Sequence, residues 1–247
     1  MKFVAVIEAR MGSTRTPGKT LLDISGKPLI ERVLYRFKLC EKIDDLVVAT
    51  TVNPKDDILV EFCKKHSVKY FRGSENDVMQ RVIEAAESVG ADIIVEQGAD
   101  NPFVDPEVVD QLVEIYKTGN YDFVSSALKL TYPLGIYAHI FSLIALKKIS
   151  DITSDPKDRE NVNNYFWEHP EQYNLFNLEA TGNLHRPEIR LTVDYPEDIE
   201  LARKVFAHFK RPFTTQELIQ FLDEHPEIRD LNKNCVQKAA PHIGIKK

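Results

Sequence analysis

The sequence has few of the features that mark disulfide-rich, zinc-binding, membrane-spanning or nucleic-acid-binding proteins. Its three cysteines, Cys40, Cys63 and Cys235, are widely spaced and form no C-x-x-C pair, which argues against a zinc site or a redox pair. The longest apolar runs are far shorter than the ~20 residues of a membrane-spanning helix. The net charge of −6 argues against nucleic-acid binding, because that function needs a basic face.

The first residues also lack the charged and apolar segments of a secretory signal, so we expect a cytoplasmic protein. The 43% content of hydrophobic residues is typical of a globular protein with a sizeable core. Internal repeats and glycine-serine linkers are missing from the 247 residues. We therefore predict one domain over residues 1–230, with an acceptor-binding or dimerisation subregion at about 120–180 and a C-terminal tail at 231–247.

Apolar runs alternate with segments of helical spacing along the first half of the chain, which predicts a mostly parallel sheet in an α/β fold. Predicted strands lie near residues 4–8, 45–50, 68–71, 92–96, 123–126, 134–141, 173–180 and 189–193. Predicted helices lie near residues 29–37, 54–66, 77–89, 107–117, 142–149, 158–167, 196–209 and from 214 onward.

The stretch that follows the first strand combines glycines, hydroxyl groups and three cations, Arg10, Arg15 and Lys19. Glycine lets backbone N–H groups approach an anion, and Arg and Lys neutralise its charge, so this loop indicates polyphosphate binding. The Walker A pattern is excluded because Gly12 and Gly18 are one residue too far apart, and the Rossmann G-x-G-x-x-G pattern is missing. A solvated turn with accidental charges is the simpler alternative.

Two aspartates, Asp100 and Asp194, each follow a predicted strand and precede a helix start. Ligands of open α/β sheets bind beyond the carboxyl ends of the strands, where both aspartates are expected. Carboxylates beside a polyphosphate loop are natural ligands of Mg²⁺. For Asp100 the alternative is an Asx turn before Pro102.

Four separated segments resemble the cytidylyltransferases that activate sugars and sugar acids, a family that includes SpsF-type proteins and the CMP-Kdo and CMP-sialic acid synthetases. The loop matches the family pattern Q-A-R-M-G-S-T-R-L-P-G-K, except for Glu8 in place of Gln and Thr16 in place of Leu. The other three segments are residues 71–78, residues 98–103 (family T-A-D-C-P-L) and residues 191–198 (family L-T-V-D-T-P-E-D).

The resemblance implies a three-layer αβα nucleotidyltransferase fold, Rossmann-like and similar to glycosyltransferase A, with a small C-terminal subdomain or dimer arm. It implies that Asp100 and Asp194 hold Mg²⁺, and that the catalytic residues are these two with Arg10 and Lys19. The nucleotide-binding residues are expected to be Ala9, Arg10, Met11, Gly12, Ser13, Thr14, Arg15, Lys19, Arg72, Gln97 and Gly98. Arg72 has the alternative interpretation of a surface cation that pairs with nearby acidic residues.

The expected acceptor site departs from the resembling SpsF-type proteins, whose acidic segment G-L-D-V-E-V-F is here G-I-Y-A-H-I-F. Tyr137 and His139 replace two acidic residues, which favours an anionic acceptor such as a carboxylate, phosphate or phosphonate. Arg159 lies in a segment similar to the family's D-R-E-H-V and is expected to help bind that acceptor. A packed or surface role for His139 remains an equal alternative.

Together these observations predict a Mg²⁺-dependent transfer of CMP from CTP to a sugar acid or another anionic acceptor, with release of pyrophosphate. The expected pathway is polysaccharide, glycoconjugate or phosphonate-type biosynthesis, and a homodimer is expected by resemblance. The alternatives are a nucleotidyltransferase that uses another base, a glycosyltransferase and a nucleotide-binding regulatory protein without turnover. A glycosyltransferase of this fold is disfavoured because Asp100 belongs to no D-x-D pair.

Overall fold

The computed structural model describes residues 1–13 and 15–237. Its framework is one seven-stranded sheet. The strands are β1 (Phe3–Glu8), β2 (Asp45–Thr51), β3 (Lys69–Gly73), β4 (Ile93–Gly98), β5 (Phe123–Ser125), β6 (His139–Ser142) and β7 (Leu175–Asn177).

The strands lie side by side in the order β3-β2-β1-β4-β6-β5-β7. Strands β1 to β4 are parallel to their neighbours among themselves, whereas β6 runs antiparallel to both β4 and β5. The outermost pair, β5 and β7, is again parallel. The predicted mostly parallel sheet is therefore confirmed, and the carboxyl ends of β1 and β4 meet at one edge.

Helices cover both faces of the sheet. They are α1 (Leu29–Phe37), α2 (Asp57–Lys65), α3 (Val78–Ser88), α4 (Pro106–Lys117), α5 (Leu143–Ile152), α6 (Pro156–Glu160), α7 (Asn164–Glu168), α8 (Pro196–His208), α9 (Thr215–Glu224) and α10 (Pro226–Arg229). None of the described helices is long and apolar enough to cross a bilayer.

Two apolar clusters lie between the sheet and its two helix layers, and alternate residues of β1 contribute to each of them. Ala5 and Ile7 pack into the cluster formed with α1, α2, α4, α8 and α9. Val4 and Val6 pack into the opposite cluster with α3, α5 and α7. Because neighbouring strand residues face opposite sides, a run that is buried throughout identifies a strand covered on both faces. The predicted three-layer α/β fold is confirmed.

Helix starts follow the capping residues in the sequence. The Asp105 carboxylate accepts a hydrogen bond from Glu107 N at 2.9 Å, with Pro106 in the first turn of α4. Thr214 and Glu217 form the reciprocal capping box of α9. These side chains accept hydrogen bonds from backbone N–H groups that have no partner inside the helix. Helix starts can therefore be predicted from the residue types that cap them.

Three predicted elements in the second half are wrong. The strand expected over 134–141 forms only from His139 onward, and the helix expected over 158–167 is split into α6 and α7 at Asn161, whose backbone is extended. The segment 189–193 is not a sheet strand. Its backbone hydrogen bonds go to loops instead, with Leu191 N donating to Leu134 O at 2.7 Å and Val193 N donating to Asp100 O at 2.8 Å.

Candidate active site

The loop after β1 is closed on itself by backbone hydrogen bonds. Gly18 N donates to Met11 O at 3.2 Å, and Thr20 Oγ1 donates to Arg10 O at 2.8 Å. Gly18 has φ of +74°, a conformation that favours glycine. A 3-10 helix then starts at Lys19 and points this lysine back toward the end of β4.

The Lys19 ammonium joins the two aspartates that were expected to converge. Its Nζ lies 3.1 Å from Asp100 Oδ2 and 2.8 Å from Asp194 Oδ1, and it donates to Val193 O at 2.8 Å. Burial alone would lower the pKa of Lys19, but Asp100 and Asp194 raise it above its ordinary value. The lysine is therefore charged, and it holds together two like charges that would otherwise repel each other.

Asp194 is the more deeply buried of the two carboxylates and has further cationic partners. Arg15 Nη2 lies 2.7 Å from its Oδ1, and Arg190 Nη2 lies 3.1 Å from its Oδ2. Burial alone would raise the pKa of Asp194, but Lys19, Arg15 and Arg190 hold it below its ordinary value. Asp194 is consequently ionised in spite of its burial.

A second buried carboxylate, Asp198, holds Arg190 and the backbone beside Asp194. Its Oδ1 lies 2.9 Å from Arg190 Nε, and its Oδ2 accepts from the backbone N of Asp194 and of Tyr195, both at 2.9 Å. Asn232 Nδ2 donates to Asp198 Oδ1 at 2.7 Å and to Arg190 O at 3.0 Å. This network fixes the orientation of Asp194.

A cavity of about 690 Å³ opens at this edge of the sheet. Of the predicted site residues, its wall contains Ala9, Arg10, Gly12, Ser13, Arg15, Lys19, Gly98, Asp100, Tyr137 and Asp194. Thr14 lies outside the described residues. Met11 and Gln97 stand behind the wall, where Met11 N donates to Asp56 Oδ1 at 2.7 Å and the Gln97 amide oxygen accepts from Gly98 N at 2.8 Å.

Three predicted residues are not brought to this cavity. Arg72 donates to Thr51 O at 2.9 Å and to Asn53 O at 3.1 Å, away from the wall. His139 is buried within β6, with its Nδ1 2.8 Å from Ser125 Oγ. The guanidinium of Arg159 is engaged by both carboxylate oxygens of Asp77 and by Ser150. Any contact of these three side chains with substrate would require a rearrangement of these partners.

Tyr137 is the predicted acceptor residue that does reach the wall. Asn101 Nδ2 lies 3.3 Å from its hydroxyl oxygen, and Gln97 Nε2 donates to its backbone oxygen. Burial is the main cause that raises the pKa of Tyr137 above its ordinary value. The hydroxyl therefore stays neutral and is available as a hydrogen-bond donor to a ligand.

The loop that carries Tyr137 touches the segment that carries Asp194, backbone against backbone. Gly135 has φ of +107°, and a Cβ atom placed there would lie 2.7 Å from Thr192 N. No side chain fits into that gap, so only glycine allows this approach. The two walls of the cavity are thereby fixed relative to each other.

Sequence reasoning missed a pair of carboxyl groups in the wall region. Glu8 at the end of β1 lines the cavity, and its carboxyl group shares a hydrogen bond with Glu96 of β4. Burial raises the pKa of Glu8 to about 7, and burial together with Glu8 raises the pKa of Glu96 well above its ordinary value. Arg81 of α3 also lines the cavity and lies close enough to Glu8 to lower its pKa. The available signal was a charged residue at the end of each of two apolar strands.

A larger cavity of about 840 Å³ lies elsewhere, between α1, α4 and the start of α9. Two of its polar side chains already have partners. The Arg36 guanidinium donates to Val104 O and Phe213 O, and the Asp110 carboxylate accepts from Glu41 N and Lys42 N. We therefore assign the candidate active site to the smaller cavity, where cations, carboxylates and strand ends converge.

The model of the cytidylyltransferase family matches residues 4–227 of this chain. The protein belongs to the cytidylyltransferase family. The match spans the loop after β1, both aspartates and all seven strands, so the family assignment rests on nearly the whole fold.

Individual relatives agree with this family assignment. The spore coat polysaccharide biosynthesis protein SpsF of Bacillus subtilis is 34% identical, and the alignment covers 90% of this chain and 94% of SpsF. The 3-deoxy-manno-octulosonate cytidylyltransferase of Geobacter sulfurreducens is 30% identical over 64% of this chain and 68% of that protein. A solved cytidylyltransferase structure from Leptospira borgpetersenii superposes with a TM-score of 0.88 at 32% identity, covering 97% of this chain and 100% of that one.

The donor set suits a divalent cation that is also bound by a nucleotide. Asp100 and Asp194 both approach a single cationic atom, Lys19 Nζ, so their carboxylates already surround a positive charge. Within residues 1–13 and 15–237 no group of three His, Cys, Asp or Glu side chains is placed to hold a metal. Mg²⁺ commonly binds with only one or two carboxylates and completes its coordination with phosphate oxygens and water. The two aspartates therefore fit Mg²⁺ that arrives with a triphosphate.

Proposed function

We propose that this cytidylyltransferase transfers CMP from CTP to a sugar acid or another anionic acceptor and releases pyrophosphate, with Mg²⁺ as cofactor. The observation that carries the proposal is the convergence of Lys19, Arg15, Asp100 and Asp194 at the carboxyl ends of the strands. The family membership supports the nucleotide and the group transferred.

In the proposed reaction an acceptor oxygen attacks the α-phosphorus of CTP. A new P–O bond to the acceptor forms, the bond between the α-phosphorus and its bridging oxygen breaks, and pyrophosphate leaves with the electron pair. The acceptor loses its hydroxyl proton to solvent. Catalysis of such transfers is mostly positioning and neutralisation of charge.

The residues of the loop after β1 supply that neutralisation. Arg10, Arg15 and Lys19 line the cavity and present three positive charges to the triphosphate, and Ser13 adds a hydroxyl donor. Asp100 and Asp194 would hold Mg²⁺, which would stabilise the negative charge on the transferred phosphate. Lys19 would then exchange its carboxylate partners for phosphate oxygens.

For the acceptor we propose an anionic molecule that lies against Tyr137. This side of the wall contributes the neutral groups of Tyr137, Asn161 and Thr192 beside the carboxylate of Glu160. The nearby Arg10 and Arg15 attract an anion over a longer range. Polysaccharide, glycoconjugate or phosphonate-type biosynthesis would use such a product, and we propose the homodimer as the active form.

The test is pyrophosphate release with Mg²⁺ for CTP, UTP, GTP and ATP against ulosonic acids, sugar phosphates and small phosphonates. We expect release with CTP and one acceptor class, and none after chelation with EDTA. If pyrophosphate is released only with another nucleotide, that nucleotide would replace CTP in the proposal. CTP binding without release for any acceptor would favour a nucleotide-binding regulatory protein. Sedimentation analysis of the same sample tests the homodimer.

A further inference from the structure

The Glu8 carboxyl group lines the cavity, and part of its hydrogen-bonding capacity is unused. No N–H or hydroxyl group of the described residues donates to it, and its Oε1 is shielded from solvent. Its hydrogen-bonding neighbour is the Glu96 carboxyl group. Asp100 and Asp194, by contrast, both form ion pairs with Lys19. A carboxylate with unfilled acceptor sites at a cavity wall is suited to a ligand with an N–H donor.

Glu96 fixes how Glu8 can act. It is 8% exposed, and its Oε2 accepts from Asn163 Nδ2 at 2.8 Å, which fixes the position of the Glu96 carboxyl group. Two carboxyl groups in such contact share one proton, because both cannot be ionised side by side. The shared proton lies between the pair, and the remaining lone pairs of the Glu8 carboxyl group are still acceptors.

Arg81 adds a donor beside this acceptor. The residue is 2% exposed and lines the same cavity, yet its Nε has no hydrogen-bond partner among the described residues. Its Nη1 is held by Ser74 O, which fixes the guanidinium plane. A buried donor without a partner is costly, and Arg81 lines the cavity, so its guanidinium is suited to pair with an acceptor atom of a bound ligand. Glu8 and Arg81 together offer an acceptor next to a donor.

Cytosine presents the complementary edge, since its 4-amino group is a donor and the adjacent N3 is an acceptor. Uracil has a carbonyl oxygen in place of that amino group, and this oxygen would face the acceptor lone pairs of Glu8. Two hydrogen-bond acceptors that face each other are unfavourable, because each loses the hydrogen bonds that it made with water.

The place of Glu8 in the chain favours the base over the acceptor substrate as its ligand. Glu8 directly precedes the loop whose Arg10, Arg15 and Lys19 face the triphosphate, and Arg81 belongs to α3, which packs on β1, β2 and β3. The wall around Tyr137 comes from the other half of the sheet. The base is covalently tied to the phosphates, so it shares their half of the cavity.

We propose that Glu8, held by Glu96 and flanked by Arg81, selects cytosine by accepting a hydrogen bond from its 4-amino group. This inference rests on the proposed use of CTP and goes beyond it by naming the specificity-determining residue. Glu8 acts in binding the base and takes no part in the transfer step.

The experiment measures the dissociation constants of CTP and UTP by titration calorimetry with Mg²⁺ and no acceptor. The proteins are the wild type, Glu8→Met, which keeps the length of the side chain without acceptor oxygens, and Glu8→Gln, which keeps one. We expect Glu8→Met to weaken CTP binding about tenfold, because one hydrogen bond to a charged group is lost. UTP binding should not weaken, because the variant removes the acceptor oxygens that oppose the uracil carbonyl. Glu8→Gln should recover most of the CTP preference.

UTP is the internal control, since damage to the fold or to the triphosphate loop would weaken both nucleotides. An equal loss for CTP and UTP in Glu8→Met, or an unchanged ratio, would overturn the inference and leave the proposed function standing. An unchanged ratio together with a raised acceptor KM would assign Glu8 to the acceptor instead. Wild-type protein that binds no CTP would overturn the proposed function and this inference together.

Discussion

Replacing Asp198 with alanine should destabilise the fold far more than its place in the first turn of a helix suggests. Asp198 is 1% exposed, and its carboxylate accepts from the backbone of Asp194 and Tyr195, from Arg190 and from Asn232. Its removal leaves the Arg190 guanidinium, itself 8% exposed, with one carboxylate fewer. Removal of one partner of a buried ion pair costs about 3–5 kcal/mol, because the other charge stays buried.

Glu197 provides the matched control, because it is the preceding acidic residue of the same helix turn and is exposed. Glu197→Ala should cost only ~0.5 kcal/mol, the usual size of a helix-dipole interaction. Urea denaturation followed by circular dichroism gives both values, and a domain in the upper part of the usual range of about 5–15 kcal/mol of total stability stays folded after either change. A cost for Asp198→Ala within about 1 kcal/mol of the control would refute the view that a buried ion pair holds Asp194.

Three further results are expected. Asp100→Asn should keep the native circular dichroism spectrum and lose most pyrophosphate release, because one proposed Mg²⁺ ligand is weakened; near-normal kcat would remove Asp100 from the metal site. Lys19→Ala should raise the KM for CTP, and an unchanged KM and kcat would contradict its assignment to the triphosphate. Burial raises the pKa of Glu8 to about 7, so native Glu8 holds its proton more tightly than unfolded Glu8 does. Its contribution to the free energy of unfolding is therefore lost as pH rises from about 4.5 to about 7. Glu8→Gln should reduce the difference between the unfolding free energies measured by urea denaturation at pH values of about 5 and 8, and equal differences for wild type and variant would disprove this expectation.

The convergence of Lys19, Asp100 and Asp194 could be predicted because it follows from general rules about strand ends and polyphosphate loops. Asp194 nevertheless follows no sheet strand. Its segment reaches the site by hydrogen bonds to loops at Leu134 and Asp100. The apolar pattern of residues 189–193 indicated an extended, buried segment, and this much is correct, but a sequence pattern does not say which backbone an extended segment will pair with.

The positions of His139 and Arg159 show that the local sequence pattern does not determine which distant residues a side chain will contact. His139 lies at the first position of an antiparallel strand, where its ring is buried beside Ser125. Arg159 meets Asp77 across 82 residues of sequence. Glu8 and Glu96 are likewise brought together only by the pairing of β1 with β4. Such contacts depend on the register of the sheet and on the packing of helices, which residue spacing along the chain does not contain.

The glycine at position 135 restricts how this enzyme can acquire a new acceptor. Its backbone rests directly on Thr192 and Leu191, so any larger residue would push apart the two segments that carry Tyr137 and Asp194. In the proposed acceptor site, moving this loop would thus displace Asp194 as well. The proposed substrate range is open to change through the side chain of Tyr137, whereas the main chain beneath it is effectively closed to redesign.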